Sequence, residues 1–312
     1  MIIKISKPKF WDKKEISYLT HFLRLFSFPI LINNYFQRKK IKFNDIKTIC
    51  VGNIYIGGTG KTPTCINLNS IITQLKYKTA FVKKYYKNQL DEQIILKKKS
   101  ILFCEKERIM GLKNAIENKI KVAIFDDGLQ DNKIDYDLKF VCFNTLNWIG
   151  NGLLIPAGPL REKLESLKKY NAVFLNGNNE RTDEMEKTIK KYNNEIKIFK
   201  AEYILDNINE IDIEKKYISF SGIGSPSSFL KTLKNNNINI IKNINFPDHH
   251  NYSKNEIENI KKEAKLLNTN IITTEKDFVK LNQEDQKKIK CAKIKLVIKN
   301  ENVLKEYLKS LL

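Results

Sequence analysis

A glycine-rich loop is the part of the sequence whose residue types point most directly to chemistry. It reads Gly57-Gly58-Thr59-Gly60-Lys61-Thr62 and follows an apolar run that ends at Ile54. Glycines let backbone N–H groups approach phosphates, a lysine reaches the terminal phosphates, and a threonine hydroxyl can bind Mg²⁺. The pattern therefore predicts a nucleoside triphosphate site. Tyr55 stands where the usual pattern has its first glycine, and the alternative is a glycine-rich turn with a solvated lysine.

A pair of carboxylates follows a second apolar run. Ile124-Phe125 precedes Asp126-Asp127-Gly128. In phosphate-binding folds, an acidic residue at the end of a neighbouring strand helps to hold Mg²⁺. We therefore predict that Thr62, Asp126 and Asp127 are the metal ligands. The alternative for the carboxylates is a turn-forming Asp-Gly.

Two other places could supply a base for an acceptor hydroxyl. Asp91-Glu92 lies in a loop-like region after the second predicted strand, and Asp248-His249-His250 follows a strand in the C-terminal part. Phosphoryl transfer to an alcohol benefits from a carboxylate or an imidazole near that hydroxyl. The alternatives are a solvated loop acid at Asp91 and a surface turn at the histidines.

An apolar loop rich in glycine and proline runs from Asn151 to Glu162. It could line an apolar substrate groove in which Arg161 grips a phosphate. It could equally be a packed loop in which Glu162 caps a helix. The segment Thr273-Thr274-Glu275-Lys276-Asp277 ends a predicted strand, and helix capping is its simplest interpretation.

The elements that must position these residues are strands and helices in alternation. The apolar runs predict parallel strands covered on both faces, with ligands at their carboxyl ends. A smaller strand–helix series follows, with a helix start at Ser225-Pro226. We predict an α/β fold with one domain over 1–215 and a smaller α/β lobe over 216–312. The predicted strands are Ile46–Ile54, Thr79–Lys83, Lys121–Phe125, Phe140–Asn144 and Ala172–Asn176, then Tyr217–Phe220, Ile238–Phe246 and Asn270–Thr274.

The chain is strongly basic. Its 312 residues include 56 Lys and Arg against 35 Asp and Glu, which gives a net charge of +21. This balance favours anionic partners, although a coding sequence biased towards Lys, Asn and Ile would produce it as well. The five cysteines are scattered and form no C-x-x-C pair, which argues against a disulfide framework or a zinc site and favours a reducing compartment.

An apolar segment near the N-terminus is too interrupted to span a bilayer. It runs from Tyr18 to Phe36 and precedes Arg38-Lys39-Lys40. Apolar side chains beside a basic cluster favour a helix, at about residues 15–37, that lies in a membrane interface and contacts anionic headgroups. The alternative is an ordinary N-terminal helix packed on the domain.

Taken together, these motifs resemble the tetraacyldisaccharide 4′-kinase family, the lipid A 4′-kinases, over roughly residues 10 to 300. The joint set is far more specific than a phosphate loop alone. The motifs that carry the resemblance are Val51-Gly52-Asn53, Gly57 to Pro63, Asp126-Asp127-Gly128-Leu129-Gln130, Asn151-Gly152 with Pro156 to Glu162, Phe220 to Gly224, Asp248-His249 and Thr273 to Asp277.

The resemblance implies a P-loop NTPase-like fold and a defined reaction. ATP, with Mg²⁺, would phosphorylate the 4′-hydroxyl of a tetraacylated glucosamine disaccharide 1-phosphate and give lipid IVA. The implied location is the cytoplasmic face of the inner membrane of a Gram-negative bacterium, where the protein is peripheral or monotopic. We expect a monomer whose partners are this lipid and the membrane surface, with no nucleic acid.

The resemblance also implies roles for single residues. Asp91 matches the acceptor base and His249 the histidine that orients or tunes it, while Lys61 neutralises the transferring phosphate and Thr62 and the Asp126-Asp127 pair serve Mg²⁺. Gln130 acts near the substrate or the nucleotide. The nucleotide-binding residues are Tyr55, Ile56, Gly57, Gly58, Thr59, Gly60, Lys61, Thr62 and Gln130, and the substrate-binding residues are Asn151 and Arg161.

One segment departs from the family pattern. Where the family usually has Arg-Gly-Tyr-Gly-Arg, this chain has Val82-Lys83-Lys84-Tyr85-Tyr86-Lys87, which predicts a different backbone geometry. A second hypothesis is therefore a catalytically decayed phosphate-loop protein that regulates or binds a partner. A third hypothesis is a basic nucleic-acid-binding ATPase, which the net positive charge favours. The sequence contains no recognisable nucleic-acid module or stacking platform.

Overall fold

The computed structural model describes residues 8–12, 18–27, 40–87, 89–178 and 182–312. The chain divides into two compact units. The larger unit comprises Ile5–Tyr86, Leu96–Glu202 and Ile298–Leu312, and the smaller unit includes Lys87–Ile95 and Tyr203–Val297. The predicted α/β class is confirmed, with a mostly parallel main sheet, flanking helices and a second sheet.

The main sheet places the chemistry-bearing loops side by side. Its strand order is β12-β7-β6-β5-β1-β4-β2-β3, and β1 pairs in parallel with both β4 and β5. Val51 of β1 faces Asp126 of β4, so the glycine loop after β1 and the carboxylate pair after β4 start at the same sheet edge. The strands are β1 Lys47–Gly52, β2 Thr79–Lys84, β3 Leu102–Glu105, β4 Val122–Asp126, β5 Leu138–Asn144, β6 Ala172–Asn176, β7 Lys197–Leu205 and β12 Ile294–Ile298.

Helices flank this sheet because its central strands are buried and apolar on both faces. The helix after the glycine loop, α2, buries Leu68, Ile71 and Ile72 and contacts β1, β2 and β4. The helices with residues in the larger unit are α1 Tyr18–Arg24, α2 Lys61–Gln74, α3 Leu90–Lys99, α4 Arg108–Glu117, α5 Thr182–Tyr192 and α10 Glu301–Lys309.

The smaller unit has its own parallel sheet, in the order β11-β10-β8-β9. The predicted helix start at Ser225-Pro226 is confirmed, because α6 begins at Pro226 with Ser225 as N-cap. Ser253 forms a capping box with Glu256 before α7. The elements are β8 Lys216–Ser221, α6 Pro226–Asn235, β9 Asn239–Asn245, α7 Lys254–Leu266, β10 Asn270–Thr274, α8 Glu275–Phe278, α9 Gln283–Lys288 and β11 Ile289–Ala292.

The compact units differ from the predicted division at residue 215. The terminal residues 298–312 group with the larger unit, where Tyr307 of α10 packs against Phe140 and Phe199. Residues 87–95 group with the smaller unit although they lie early in the chain.

The predicted loop at Asp91 is wrong. Asp91 is buried in the first turn of α3. The residue types fit this helix, because acids at its start and Lys97, Lys98 and Lys99 at its end complement the helix dipole.

The N-terminal segment is helical where the structure describes it. Helix α1 continues into a short 3₁₀ turn, Leu25–Ser27, and the rest of the predicted helix, with Arg38 and Lys39, lies outside the described residues. Among the residues that the structure describes, no helix has the length and apolar character needed to cross a membrane.

Candidate active site

The glycine loop is shaped by glycine conformations and by asparagines at strand ends. Gly57 and Gly60 have φ values of 127° and 82°, in the region that favours glycine. Three side-chain amides donate to the loop's carbonyl oxygens: Asn53 to Gly57 O at 3.2 Å, Asn144 to Gly58 O at 3.3 Å and Asn176 to Thr59 O at 2.9 Å. Since these carbonyls are held by the protein, the loop can turn its N–H groups to an anion. Sequence reasoning quoted Asn53 in a motif but gave none of these asparagines a role; the signal they share is their place at or just after strand ends.

The N-terminus of α2 completes the anion site. Gly60 is the N-cap and has no side chain to cap the first-turn N–H groups, so these remain for a ligand. Lys61 and Thr62 follow in that turn. Lys61 Nζ lies 3.7 Å from Asp127 Oδ1, which holds the ammonium at the carboxylate pair.

The residues at Asp126 fit a magnesium ion. The Thr62 hydroxyl donates to Asp126 Oδ2 at 3.0 Å, so two hard oxygen ligands are adjacent. The Asp126 carboxylate is fully buried, and Lys83 Nζ, also buried, lies 2.7 Å from the same oxygen. No cluster of three or more acidic, cysteine or histidine side chains forms a metal site within the described ranges. A Mg²⁺ ion here would therefore depend on phosphate oxygens and water for its other ligands.

Asp127 is held in an uncommon backbone conformation with four cations near it. Its φ is 59°, and its N–H donates to Val51 O at 2.8 Å. Burial alone would raise the pKa of Asp127, but the charges of Lys61, Arg161, Lys83 and Arg108 outweigh it and lower that pKa. Asp127 is therefore an ionised carboxylate, with Arg161 Nη1 at 3.4 Å from its Oδ1, and its role as a metal ligand stays a prediction.

Gln130 and Arg161, predicted to bind nucleotide and substrate respectively, are brought together. Arg161 Nη1 donates to Gln130 Oε1 at 3.2 Å, and Gln130 Nε2 donates to Asn53 O at 2.9 Å and to Glu162 Oε1 at 2.8 Å. Glu162 also accepts from the Tyr170 hydroxyl at 2.8 Å, and the 3₁₀ helix that follows, Leu164–Lys169, has no side-chain cap, so the expected capping role of Glu162 is wrong.

The remaining predicted binding residues, Tyr55, Ile56 and Asn151, make contacts with other parts of the protein. The Tyr55 side chain is buried with Leu154 and Leu160, and the Ile56 N–H donates to Pro159 O at 2.8 Å. Asn151 donates to Ala157 O at 2.9 Å, within its own loop. The tyrosine in the usual glycine position therefore joins the glycine loop to the 151–162 loop by packing.

In the smaller unit, Asp91 and His249 form a buried pair. His249 Nδ1 lies 3.0 Å from Asp91 Oδ1 and 3.2 Å from Oδ2. His249 has a φ of 57°, and its N–H donates to Gly222 O at 3.1 Å. Burial alone would raise the pKa of Asp91, but the hydrogen bond with His249 and the charges of Lys276 and Lys280 lower it. The carboxylate thus stays ionised well below neutral pH.

Two lysines beside this pair were missed by sequence reasoning. Lys280 Nζ lies 3.2 Å from Asp91 Oδ2, and Lys276 Nζ lies 3.9 Å from it. Capping at the Thr273–Asp277 segment is confirmed, because Thr274 Oγ1 accepts from the Asp277 N–H at 3.1 Å at the start of α8. Lys276 lies within α8 and Lys280 in the turn that follows it, where the Lys280 N–H donates to Asp277 O at 3.1 Å.

The chemistry of the two arrangements is complementary. The larger unit offers N–H groups, cations and oxygen ligands suited to polyphosphate and Mg²⁺, and the smaller unit offers an ionised carboxylate with an imidazole partner, suited to proton abstraction.

Comparisons with known proteins agree with this assignment. The family model for tetraacyldisaccharide-1-P 4′-kinase, LpxK, matches residues 18–100 and 91–312. A tetraacyldisaccharide 4′-kinase of Pelagibacter ubique (strain HTCC1062) is 46% identical over 303 residues, which cover 97% of this chain and 96% of that protein. The enzyme of the same name from Rickettsia bellii (strain OSU 85-389) is 35% identical, covering 98% of each chain.

The fold has a counterpart among solved structures. LpxK from Aquifex aeolicus, whose crystal structure is in complex with ATP, aligns with a TM-score of 0.65 and 22% identity, covering 95% of this chain and 96% of that chain. At this identity, the likeness establishes the shared fold. With the family model and the close relatives, it leads to one conclusion: the chain belongs to the tetraacyldisaccharide 4′-kinase family.

Proposed function

We propose that this protein transfers the terminal phosphate of ATP to the 4′-hydroxyl of a tetraacylated glucosamine disaccharide 1-phosphate, giving lipid IVA. The observation that carries the proposal is a phosphate loop and a buried Asp91–His249 pair in a chain of this family. The names of the relatives support the same donor-to-lipid reaction.

The larger unit is the proposed ATP site. The N–H groups of the loop and of α2 bind the phosphates, and Lys61 offsets their negative charge. Thr62 and Asp126 would hold Mg²⁺, and Asp127 orients Lys61 and Arg161. When bound, Mg²⁺ would neutralise and orient phosphate oxygens.

Asp91 is the proposed base. It takes the proton of the 4′-hydroxyl as that oxygen bonds to the terminal phosphorus and the bond from phosphorus to the ADP oxygen breaks. Because its pKa is lowered, Asp91 is ionised and ready to accept a proton at neutral pH. His249 orients the carboxylate through its Nδ1.

The proposed lipid contacts come from the 151–162 loop and its partner Gln130. Arg161 offers a guanidinium for phosphate recognition, and Asn151 fixes the loop that carries it. Each residue given a role comes from one chain, so the proposal needs only a monomer.

A location at the cytoplasmic face of the inner membrane is part of the proposal. The segment around α1 exposes apolar side chains that a soluble surface rarely groups together. The relative exposures are Tyr18 96%, Leu19 54%, Phe22 58%, Leu25 73% and Phe26 57%. With the net charge of +21, such a segment suits an interface of anionic lipids.

The test is transfer of labelled terminal phosphate from ATP to the disaccharide lipid in mixed micelles. We expect a labelled lipid product that depends on Mg²⁺ and is lost in Lys61→Met. A protein that binds Mg-ATP with ordinary affinity and labels no lipid would be the decayed phosphate-loop protein, and the proposal would then be wrong.

A further inference from the structure

Lys276 lies at the centre of the charged groups that surround His249. Its Nζ is 3.0 Å from Glu92 Oε1, 3.2 Å from Asp248 Oδ1 and 3.4 Å from His249 Nε2. Its side chain is only 17% exposed, so these charges are poorly screened by water. Lys276 therefore contacts the ring nitrogen that faces away from Asp91.

The charged groups nearest to the two nitrogens of His249 have opposite hydrogen-bonding requirements, although the carboxylates of Glu92 and Asp248 also lie 3.7 and 3.8 Å from Nε2. Nδ1 faces the carboxylate of Asp91, which only accepts hydrogen bonds while it is ionised. Nε2 faces the ammonium of Lys276, which only donates. Both contacts are satisfied at once by a single tautomer, the neutral imidazole with its proton on Nδ1.

The charge balance around the ring explains why a lysine is needed there. The charged groups that face His249 and Asp91 come from α3, the loop after β9, α8 and the turn after α8. They are Asp91, Glu92, Asp248, Lys276 and Lys280. Without Lys276, three carboxylates would face one ammonium, and the excess of negative charge around the ring would be larger.

Lys276 is itself held in the charged state. Burial alone would lower the pKa of Lys276, but the carboxylates of Glu92, Asp248 and Asp91 outweigh it and raise that pKa. Its helix is anchored as well, because Asp277 Oδ2 accepts from the Thr274 hydroxyl at 2.7 Å and from Gly222 N–H at 2.9 Å.

We propose that Lys276 is a positioning residue that keeps His249 neutral, with its proton on Nδ1 directed at Asp91. An imidazolium would bind the carboxylate more strongly and make it a weaker base for the acceptor hydroxyl. This inference rests on the proposed function in one respect, the role of Asp91 as the base.

The first measurement observes the tautomer directly and needs no catalysis. The chain has three histidines, so nitrogen NMR of ¹⁵N-histidine-labelled protein gives a small set of ring signals, and His249→Gln identifies those of His249. We expect a protonated Nδ1 and an unprotonated Nε2 at neutral pH in the wild type. A proton on Nε2, alone or as part of an imidazolium, would overturn the inference.

The second measurement uses Lys276→Met, which keeps the length of the side chain and removes its charge. We expect His249 to take a second proton at a pH where the wild type does not, and kcat at neutral pH to fall about tenfold. In Lys276→Met, the acid limb of the plot of kcat against pH moves to higher pH, so kcat approaches the wild-type value at alkaline pH. The KM for ATP stays unchanged. Lys276→Arg keeps the charge and should restore the Nδ1 proton.

Lys261→Met is the matched control. Lys261 lies in the same unit, is 19% exposed and pairs with Glu258 and Asp285, but it does not contact the Asp91–His249 pair. We expect it to leave the profile and the tautomer unchanged. If wild-type protein makes product and Lys276→Met keeps both the tautomer and the pH profile, this inference alone fails. If the wild type makes no product, the proposed function fails and the NMR result still decides the tautomer.

Discussion

At the scale of single residues, two proposed functional side chains sit on backbone that few residues adopt. Asp127 and His249 have φ values of 59° and 57°. Such a conformation costs a residue with a side chain roughly 1–2 kcal/mol, so the surroundings must hold it in place. Hydrogen bonds from both backbone N–H groups to neighbouring strands or loops do so. The strain directs each side chain to its partners.

Asp91→Asn tests the proposed base. The amide keeps the shape of the side chain but cannot accept the hydroxyl proton, so we expect kcat to fall by about 10²–10⁴-fold. ATP affinity should stay normal, because the proposed ATP ligands lie in the other unit. Steady-state kinetics with a separate nucleotide-binding measurement checks both. Glu258→Gln, a surface acid of the same unit, is the control, and near-normal turnover in Asp91→Asn would remove Asp91 from this role.

Lys83→Met tests the buried ion pair with Asp126. Removing one partner leaves the other charge buried without its cation, and we expect the free energy of unfolding to fall by about 3–5 kcal/mol. Lys47→Met, at an exposed strand position, should change it by no more than about 0.5 kcal/mol. Denaturant titration without nucleotide measures both. Equal stability of the two variants would show that Asp126 does not depend on Lys83.

Residue patterns along the chain predict which residues of a loop or strand end carry chemistry. They predict less well which residues distant in sequence those side chains contact. Lys61, Thr62 and Asp126 could be assigned because a loop and a strand end mark them. Lys83 and Lys276 look like many other lysines in a chain with 56 Lys and Arg, and only the fold brings each to a carboxylate. The altered segment at 82–87 thus contains a lysine with a defined partner.

At the scale of elements, asparagines at or just after strand ends donate hydrogen bonds to the carbonyl oxygens of the glycine loop. Asn176 ends β6 and donates to Thr59 O and to the Thr64 hydroxyl. We expect Asn176→Ala to raise the Kd for ATP by about tenfold, which corresponds to about 1.4 kcal/mol and to the loss of its one hydrogen bond to the glycine loop, at Thr59 O. Isothermal titration calorimetry measures this.

Asn193→Ala is the control for the loop experiment. Its amide donates to Leu167 O at 3.1 Å, a bond of the same kind at a site outside the glycine loop. We expect it to leave the Kd for ATP unchanged. A similar Kd in both variants would mean that Asn176 does not shape the phosphate site.

The exposed segment at α1 is the element proposed to meet the membrane. Phe22 and Phe26 contact each other, with ring centroids 5.3 Å apart. Replacing both by Ser should lower partitioning onto vesicles of phosphatidylethanolamine and phosphatidylglycerol at least tenfold, since burying each ring contributes about 1.5–3 kcal/mol. Replacing exposed Leu266 and Val303 by Ser is the control. Equal sedimentation of all forms would contradict the interfacial role.

Long apolar runs predicted their elements well, and short or polar elements were missed. The strands β1, β4, β5 and β6 are nearly continuous apolar runs, so the sequence marks them. Helix α3 has acids first and lysines last with little apolar periodicity, and it resembled a loop. Its Asp91 is buried by tertiary contacts that local patterns do not contain.

At the scale of the whole molecule, the two units are not contiguous in sequence. Residues 87–95 join the smaller unit, so Asp91 and His249 lie in one unit although 158 positions separate them. A division at one point of the chain, as predicted, assigns them to different domains. Tertiary contacts, which composition along the chain does not reveal, place residues 87–95 in the same unit as His249.

The most direct test of the central claim is the position of the new phosphate in the product. Purified wild-type protein is incubated in micelles with Mg-ATP and tetraacylated disaccharide 1-phosphate, and the product is analysed by mass spectrometry and phosphorus NMR. We predict a bisphosphate whose new ester lies on the 4′ carbon, formed by wild type and nearly absent with Asp91→Asn. Unchanged lipid in the presence of protein-bound Mg-ATP, or a phosphate at another position, would contradict the account.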